Sequence, residues 1–320
     1  MAVAVFGGAG FIGSNLVDEL LVQGFEVTVM DNLSEGKLDN LERWRGHRKL
    51  EFVKGDIRDY DLVRRVCDHK SWVFHLAAMS RIQPSIKDPL EAMSINIMGT
   101  ANIMEACRQG GVQRVVYSAS SSAYGRKNAP RALDVGLTED LPKDCNSPYS
   151  FSKLTGEEIV EFYRTMYGIS TVSLRYFNVY GPRHQETGSY ATVIAIFRKQ
   201  VREGRPMTVV GDGTQRRDFT FVSDVVRANM MAAMNRDAYG VLNVGTGVNY
   251  SINEVAELIA PGHPVEFIPP REGEYPVTKA NIEKIKDILG WKPLLSFKEG
   301  LAVLDMFENK QKSNLIVVAR

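Results

Sequence analysis

Apolar residues alternate along the first 175 positions between short unbroken runs and longer stretches in which they recur every three or four residues. Ala2-Val3-Ala4-Val5-Phe6, Glu26 to Met30, Leu50 to Val53, Trp72 to Leu76 and Gln113 to Ala119 have the length and content of buried strands. Between them, spacings such as Leu16, Val17, Leu20 and Leu21 predict helices, the first ending at Gly24, and Pro89 to Cys107 predicts one long helix. Strand and helix alternate six times before residue 175, the pattern of a parallel sheet with right-handed crossovers. Beyond Arg175 the pattern loosens: Pro182, Gly188, Gly204, Pro206, Gly211 and Gly213 punctuate shorter elements, and Pro261, Pro264, Pro269 and Pro270 do so again. Helices are expected near 189–203, 251–260, 281–289 and 298–312, and a strand near Gly240 to Val244 should return to the main sheet.

The fold expected is therefore α/β: a doubly wound parallel sheet over residues 1–175, with later returns near 220–245, and a smaller interleaved α/β C-terminal domain over 176–320. Gly7-Gly8-Ala9-Gly10-Phe11-Ile12-Gly13 joins the first strand to the first helix. Such a turn aims backbone N–H groups at a pyrophosphate and lets ligand, strand and helix approach closely, which makes the sheet Rossmann-type. The second strand ends in Asp31, about twenty residues on, where a carboxylate grips a ribose diol. It would repel a 2'-phosphate, and the next residues, Asn32-Leu33-Ser34, bring no arginine, so NAD is expected rather than NADP. Asp56 and Ile57 close the third strand at the ligand edge of such a sheet, with Asp56 either meeting the adenine or capping the helix that begins near Asp59. Leu76-Ala77-Ala78 would let the backbone approach the middle of the cofactor, and Asn96 is counted with the cofactor residues. His75 has no acid–base partner in sequence and reads as buried and hydrogen-bonded.

Composition narrows the class. The 320 residues are 44% apolar and 24% charged, an ordinary globular balance, and a net charge of +1 without a long basic run gives no electrostatic footprint for nucleic acid. Cys67, Cys107 and Cys145 lack metal-site spacing and read as reduced cysteines, so no metal is implied. Met1 runs straight into a strand and no apolar run nears the ~18 residues of a span, so a cytoplasmic protein without membrane partners is expected.

The fifth predicted strand ends in Ser118-Ala119-Ser120-Ser121-Ser122, and farther along Tyr149 and Lys153 stand at i and i+4 on a predicted helix, where both can face one site. A tyrosine titrates near about 10, so a tyrosine base at neutral pH needs a lowered value, which a neighbouring ammonium supplies by favouring the phenolate. Ser120 would hold the reacting hydroxyl.

Serine cluster, Tyr-x-x-x-Lys and dinucleotide turn, in that setting, resemble the extended short-chain dehydrogenase/reductase family, in its sugar-nucleotide epimerase and dehydratase branch. The resemblance runs on through Arg175-Tyr176-Phe177-Asn178-Val179-Tyr180-Gly181-Pro182-Arg183, Gly211-Asp212-Gly213, Arg216-Arg217-Asp218-Phe219 and Arg271-Glu272-Gly273-Glu274. It implies NAD, a UDP-sugar substrate, and Ser120, Tyr149 and Lys153 as the catalytic residues. It makes Asn178, Arg217 and Arg271 contacts to the nucleotide diphosphate, with Glu274 near the ribose, Thr208 and Val210 along the uracil, and Ser122, Thr192 and Val193 beside the substrate. Forked arginine donors suit phosphate oxygens; an ion pair with Asp218 or Asp224 is the alternative for Arg217. It also implies a homodimer, formed by the helices after strand four and around Tyr149 to Tyr167, where Ile159, Phe162, Tyr163 and Met166 supply apolar spacing.

Within the branch, 4,6-dehydratases resemble one another in an Asp-Glu pair after the fifth strand, where this chain has Ser121 and Ser122. A 4-epimerase needs no such pair. The segment His184 to Ile194 is similar to that of epimerases of N-acetylated UDP-hexoses, and Thr278 stands where epimerases restricted to unacetylated sugars carry a bulky Tyr. UDP-GlcNAc/UDP-GalNAc interconversion is thus the expectation, with UDP-Glc/UDP-Gal also accepted. UDP-glucuronate 4-epimerisation, 4,6-dehydration and a non-catalytic NAD-binding role are the alternatives.

Overall fold

A computed structural model describes residues 1–188, 191–270 and 275–318, with side chains through residue 309. The apolar runs of the first half become β1 (Ala2–Phe6), β2 (Glu26–Asp31), β3 (Leu50–Lys54), β4 (Trp72–His75), β5 (Arg114–Ser120) and β6 (Thr171–Tyr176). Between them lie α1 (Phe11–Val22), α2 (Tyr60–Cys67), α3 (Ile82–Lys87), α4 (Pro89–Met93), α5 (Gly99–Gln109), α6 (Ala129–Leu133) and α7 (Pro148–Tyr167). The second half contributes β7 (Val179–Tyr180), α8 (Val193–Arg202), β8 (Met207–Val210), β9 (Arg216–Asp218), β10 (Thr220–Phe221), α9 (Val222–Met234) and β11 (Val241–Val244). It ends with β12 (Asn249–Ser251), α10 (Ile252–Ile259), β13 (Val265–Ile268), α11 (Glu283–Leu289) and α12 (Phe297–Val318).

Seven parallel strands form one sheet in the order β11-β6-β5-β4-β1-β2-β3. Successive side chains of a strand point to opposite faces, and both faces here are covered, which is why the strands read as unbroken apolar runs. Val3 and Val5 pack with Leu16, Leu20, Val225 and Trp291 on one side, while Ala4 and Phe6 pack with Val63, Ile103 and Val160 on the other. β11 pairs with β6, Leu242 opposite Leu174, so the expected late strand does return to the sheet. The rest of the second half forms a smaller lobe from the pairs β8–β13, β9–β12 and β7–β10, whose own core includes Phe197, Val209, Phe219, Val255 and Phe297.

Local chemistry moves several boundaries. The expected single helix from Pro89 to Cys107 is broken: Asp88 caps α4 by accepting from the Glu91 N–H, Pro89 takes the first position, and a π turn over Ser94–Met98 separates α4 from α5. The helix expected from 189 begins at Val193, because the Thr192 hydroxyl accepts from the Ala195 N–H and caps it. α7 starts where Ser147 and Ser150 make a reciprocal capping box around Pro148, and it stops at Gly168 in the left-handed conformation. α12 runs past the expected limit of 312 and takes the apolar Leu315 to Val318 into its last turn. Among the described residues no helix is long and apolar enough to cross a membrane.

Candidate active site

The strand order places β1 between β2 and β4, so the chain leaves the sheet in opposite directions on either side of it, and the crevice at that point is where ligands of open α/β sheets bind. A cleft of about 680 Å³ opens there. Gly7, with φ +80°, could not carry a side chain: a Cβ would stand 2.7 Å from the Ala77 backbone nitrogen. At Gly13 it would stand 2.1 Å from the Gly7 carbonyl oxygen. The turn is therefore closed on the protein side and bare on the cleft side, lined by Gly7, Gly10, Phe11, Ile12 and Gly13. That is a cradle of the shape a dinucleotide pyrophosphate requires.

Asp31 sits at the end of β2, nearly buried, accepting from the N–H groups of Ala9 at 3.0 Å and Leu33 at 2.8 Å. Burial pushes its carboxyl up, and those backbone donors pull it back. Its oxygens keep further lone pairs for a diol, and Asn32 lies beside it on the cleft wall. Asp56 and Ile57 also line the cleft. Asp56 is not the cap of α2: Asp59 accepts from the Leu62 N–H, while Asp56 binds Arg58 at 2.7 Å and is held down to about 2 by that guanidinium against the opposing effect of burial. Leu76, Ala77 and Ala78 complete this side. Asn96 is buried and does not line the cleft: its amide bonds the N–H and carbonyl of Met79 and the Ser152 hydroxyl, tying the loop after β4 to α7. His75 is buried as expected, with Nε2 2.9 Å from the Thr100 hydroxyl.

The strand-end serines and the start of α7 meet in the same cleft, where Ser120, Ser122, Tyr149 and Lys153 all reach the surface of the cavity. The Ser120 hydroxyl accepts from the Ser122 N–H and hydroxyl. Lys153 is 3% exposed, its ammonium 4.3 Å from the centre of the Tyr117 ring. Burial brings that ammonium down to about 7, with the Glu157 charge opposing. Burial also holds the Tyr149 hydroxyl above its ordinary value, while the Ser120 hydroxyl and the Arg81 charge pull it down. In the chain alone the shift of Tyr149 is therefore opposite in sign to the lowering expected from Lys153, since desolvating a phenolate outweighs these neighbours.

Asn178, Thr192, Val193, Thr208, Val210, Arg217 and Thr278 line the far half of the cleft. Asn178 donates to the Asp218 carbonyl at 2.8 Å and to the Thr278 hydroxyl at 3.3 Å. Thr278, 6% exposed, donates its N–H to the Arg216 carbonyl. Gln200 fixes Thr208 by bonding both its hydroxyl and its N–H. Asp218 is committed to Thr246, Gly247 and Ala280, and Asp224 to Arg227 and the N–H groups of Leu294 and Leu295. Arg271 and Glu274 lie outside the described residues. The sequence reading missed Gln215, Phe219 and Tyr275 in the wall, and the Tyr275 hydroxyl donates to the Ser122 carbonyl. No local pattern marks such residues, since loops distant in sequence bring them in. It also passed over Ser80-Arg81-Ile82-Gln83, which a signal could have found, since these residues follow directly on the Ala77-Ala78 approach.

Comparison with known proteins agrees with this geometry. The chain is 39% identical, across an alignment of 320 positions that takes in 98% of it, to the full length of a UDP-glucose 4-epimerase of Mycolicibacterium smegmatis. Its fold matches a UDP-N-acetylglucosamine 4-epimerase of Methanobrevibacter ruminantium, solved with UDP-N-acetylmuramic acid, at a TM-score of 0.90 and 34% identity over 97% of this chain and 98% of that one. It matches a Thermus thermophilus UDP-glucose 4-epimerase, solved with NAD, at 0.85 and 36% over 95% of this chain and 97% of that one. The family model of the NAD dependent epimerase/dehydratase family spans residues 3–245, from β1 through the returning strand β11. With the glycine cradle, Asp31 and that match in hand, the chain belongs to the NAD-dependent epimerase/dehydratase family, and its cofactor is NAD.

Proposed function

We propose that the protein interconverts the C4 epimers of a UDP-hexose, UDP-GlcNAc and UDP-GalNAc first, and accepts UDP-Glc and UDP-Gal as well. The observation that carries this reading is the convergence of Ser120, Tyr149 and Lys153 on one cleft with the glycine cradle, with two serines where a dehydratase would need an acid pair. Bound NAD supplies the acceptor and return donor for the C4 hydride. Tyr149 takes the C4 hydroxyl proton and later returns it, Ser120 holds that hydroxyl, and Lys153 contributes positive charge beside the phenolate. Arg217, Arg271 and Asn178 hold the diphosphate in this reading, Glu274 lies near the ribose, and Thr208 and Val210 flank the uracil. With the nucleotide anchored there, the hexose turns so that either C4 face can meet the cofactor.

Thr278 sets the substrate's size. A 2-acetamido group sweeps more volume than a hydroxyl as the sugar turns, and one side chain suffices to exclude it. Thr278→Tyr places an aromatic ring in a wall already packed against Asn178, so UDP-GlcNAc epimerisation should fall at least about tenfold, equivalent to about 1.4 kcal/mol of transition-state binding, while UDP-glucose turnover persists. kcat/KM for both sugars on both proteins decides it. Equal losses remove Thr278 from the role, and a wild type inactive on UDP-GlcNAc overturns the substrate assignment.

The protein acts as a homodimer in this reading, paired through α7 and the α4–α5 region, where Leu90, Met98, Phe151, Phe162, Met166 and Tyr167 are exposed. Of the expected apolar set, Ile159 and Tyr163 instead pack inward against the sheet. Light scattering at micromolar protein should return twice the mass of the chain, and a monomer mass would overturn the assignment.

A further inference from the structure

The loop after β7 and the helix α12 approach each other beside the substrate cleft, and they bring three ligand-type side chains together. His184, Glu186 and Glu308 present one nitrogen and two carboxylate oxygens that all lie within 4.8 Å of one another. His184 is 7% exposed and packed near the Phe11 ring, and neither of its ring nitrogens meets a hydrogen-bond partner. A buried polar ring without a partner is a cost the fold carries, and such groups call for an explanation.

The carboxylates are already engaged by arginines. Glu308 accepts from Arg198 at 3.0 Å and from Arg202 at 3.2 Å, and Glu186 accepts from Arg202 at 2.6 Å. Arg198 also reaches Asp305 at 2.6 Å. Each carboxylate oxygen can serve a second partner, so an arginine contact and a metal bond are compatible. Two arginines, Arg198 and Arg202, bridge the three carboxylates of Glu186, Asp305 and Glu308. A ligand set of one imidazole and two carboxylates suits a divalent transition metal better than calcium or magnesium.

We infer that His184, Glu186 and Glu308 form a binding site for a divalent transition metal such as zinc, which pins the loop carrying the cleft residues Gln185 and Thr192 to α12. None of the cysteines takes part. Tetrahedral zinc ligands stand ~3.4 Å apart, so the ligand atoms, already within 4.8 Å of one another, need close by no more than about 1.5 Å on loading. The site is separate from the epimerase chemistry and stands or falls without it.

The test is titration of the purified, chelator-treated full chain with Zn2+ against a chromophoric chelator, repeated with Co2+ to read the visible spectrum of the bound ion. Wild type should bind one ion per chain with a raised unfolding temperature. His184→Ala and, separately, Glu186→Gln should each weaken binding at least about tenfold, since even outer partners of metal sites contribute that much. Glu186 is partly exposed, so its variant keeps the test open should the loss of His184 disturb folding. No binding by the wild type, or undiminished binding by a folded Glu186→Gln, overturns the inference.

Discussion

Tyr149→Phe is expected to cut epimerase turnover by roughly two or more orders of magnitude, the scale of a positioned proton-transfer group, while UDP affinity stays near that of the wild type. The change removes one oxygen and keeps the ring. The nucleotide-binding half of the cleft, with Asn178, Thr208, Val210 and Arg217, is built from other elements. Tyr149 itself is held from outside its hydroxyl: its N–H donates to the Ser85 hydroxyl at 3.0 Å, and the capping box of Ser147 and Ser150 fixes the turn on which it sits. The variant should therefore keep its geometry and lose only the proton carrier. Steady-state kinetics on UDP-GlcNAc, with UDP binding by calorimetry, read the two effects separately. Near-normal turnover would mean that another group takes the C4 proton.

The features that placed this site were legible because they are local. A glycine turn after a buried strand, an acid at the end of the next strand, and a Tyr-x-x-x-Lys pair on a helix start are each fixed by a few consecutive residues, and the parallel sheet then brings strand ends to one edge. The return of β11 was legible too, as a short apolar run after the Gly-rich punctuation. What the sequence did not show depended on contacts between segments distant in the chain. Asn96 lies in the π turn Ser94–Met98, and its bonds to Met79 and Ser152 join segments that no local pattern connects. The sequence left Asp56 open as the cap of α2, and only the bond from the Leu62 N–H assigns that role to Asp59, while Asp56 pairs with Arg58. The direction of the Tyr149 shift was hidden for the same reason, since burial is set by the packing of many segments at once.

Glu157→Ala is expected to destabilise the protein by about 3–5 kcal/mol, the cost of leaving a buried charge without its partner. Glu157 on α7 and Arg175 on β6 form a two-pronged pair at 2.8 and 2.5 Å, 4% and 1% exposed, away from the cleft. Burial works against the Arg175 charge, and the Glu157 carboxylate more than restores it, leaving the guanidinium above its ordinary value. The Tyr124 ring, 4.8 Å away, covers one side of the guanidinium and cannot replace a carboxylate. Replacing both partners, Glu157→Leu with Arg175→Met, should recover most of the loss, because the cost lies in the orphaned charge rather than in the missing attraction. Urea unfolding of the three variants decides it, and a loss below about 1 kcal/mol in Glu157→Ala would refute the claim. The same carboxylate opposes the burial of Lys153, so its removal should also lower the lysine further, from about 7.

The seventh strand of the sheet has a consequence for the newborn chain. β6 is synthesised long before Val241–Val244, the segment that covers its outer edge. At about 5–20 residues per second, translation leaves that row of N–H and C=O groups bare for a matter of seconds. An unpaired strand flanked by a finished sheet is a template for any other extended segment, including the same strand on a neighbouring nascent chain of the polysome.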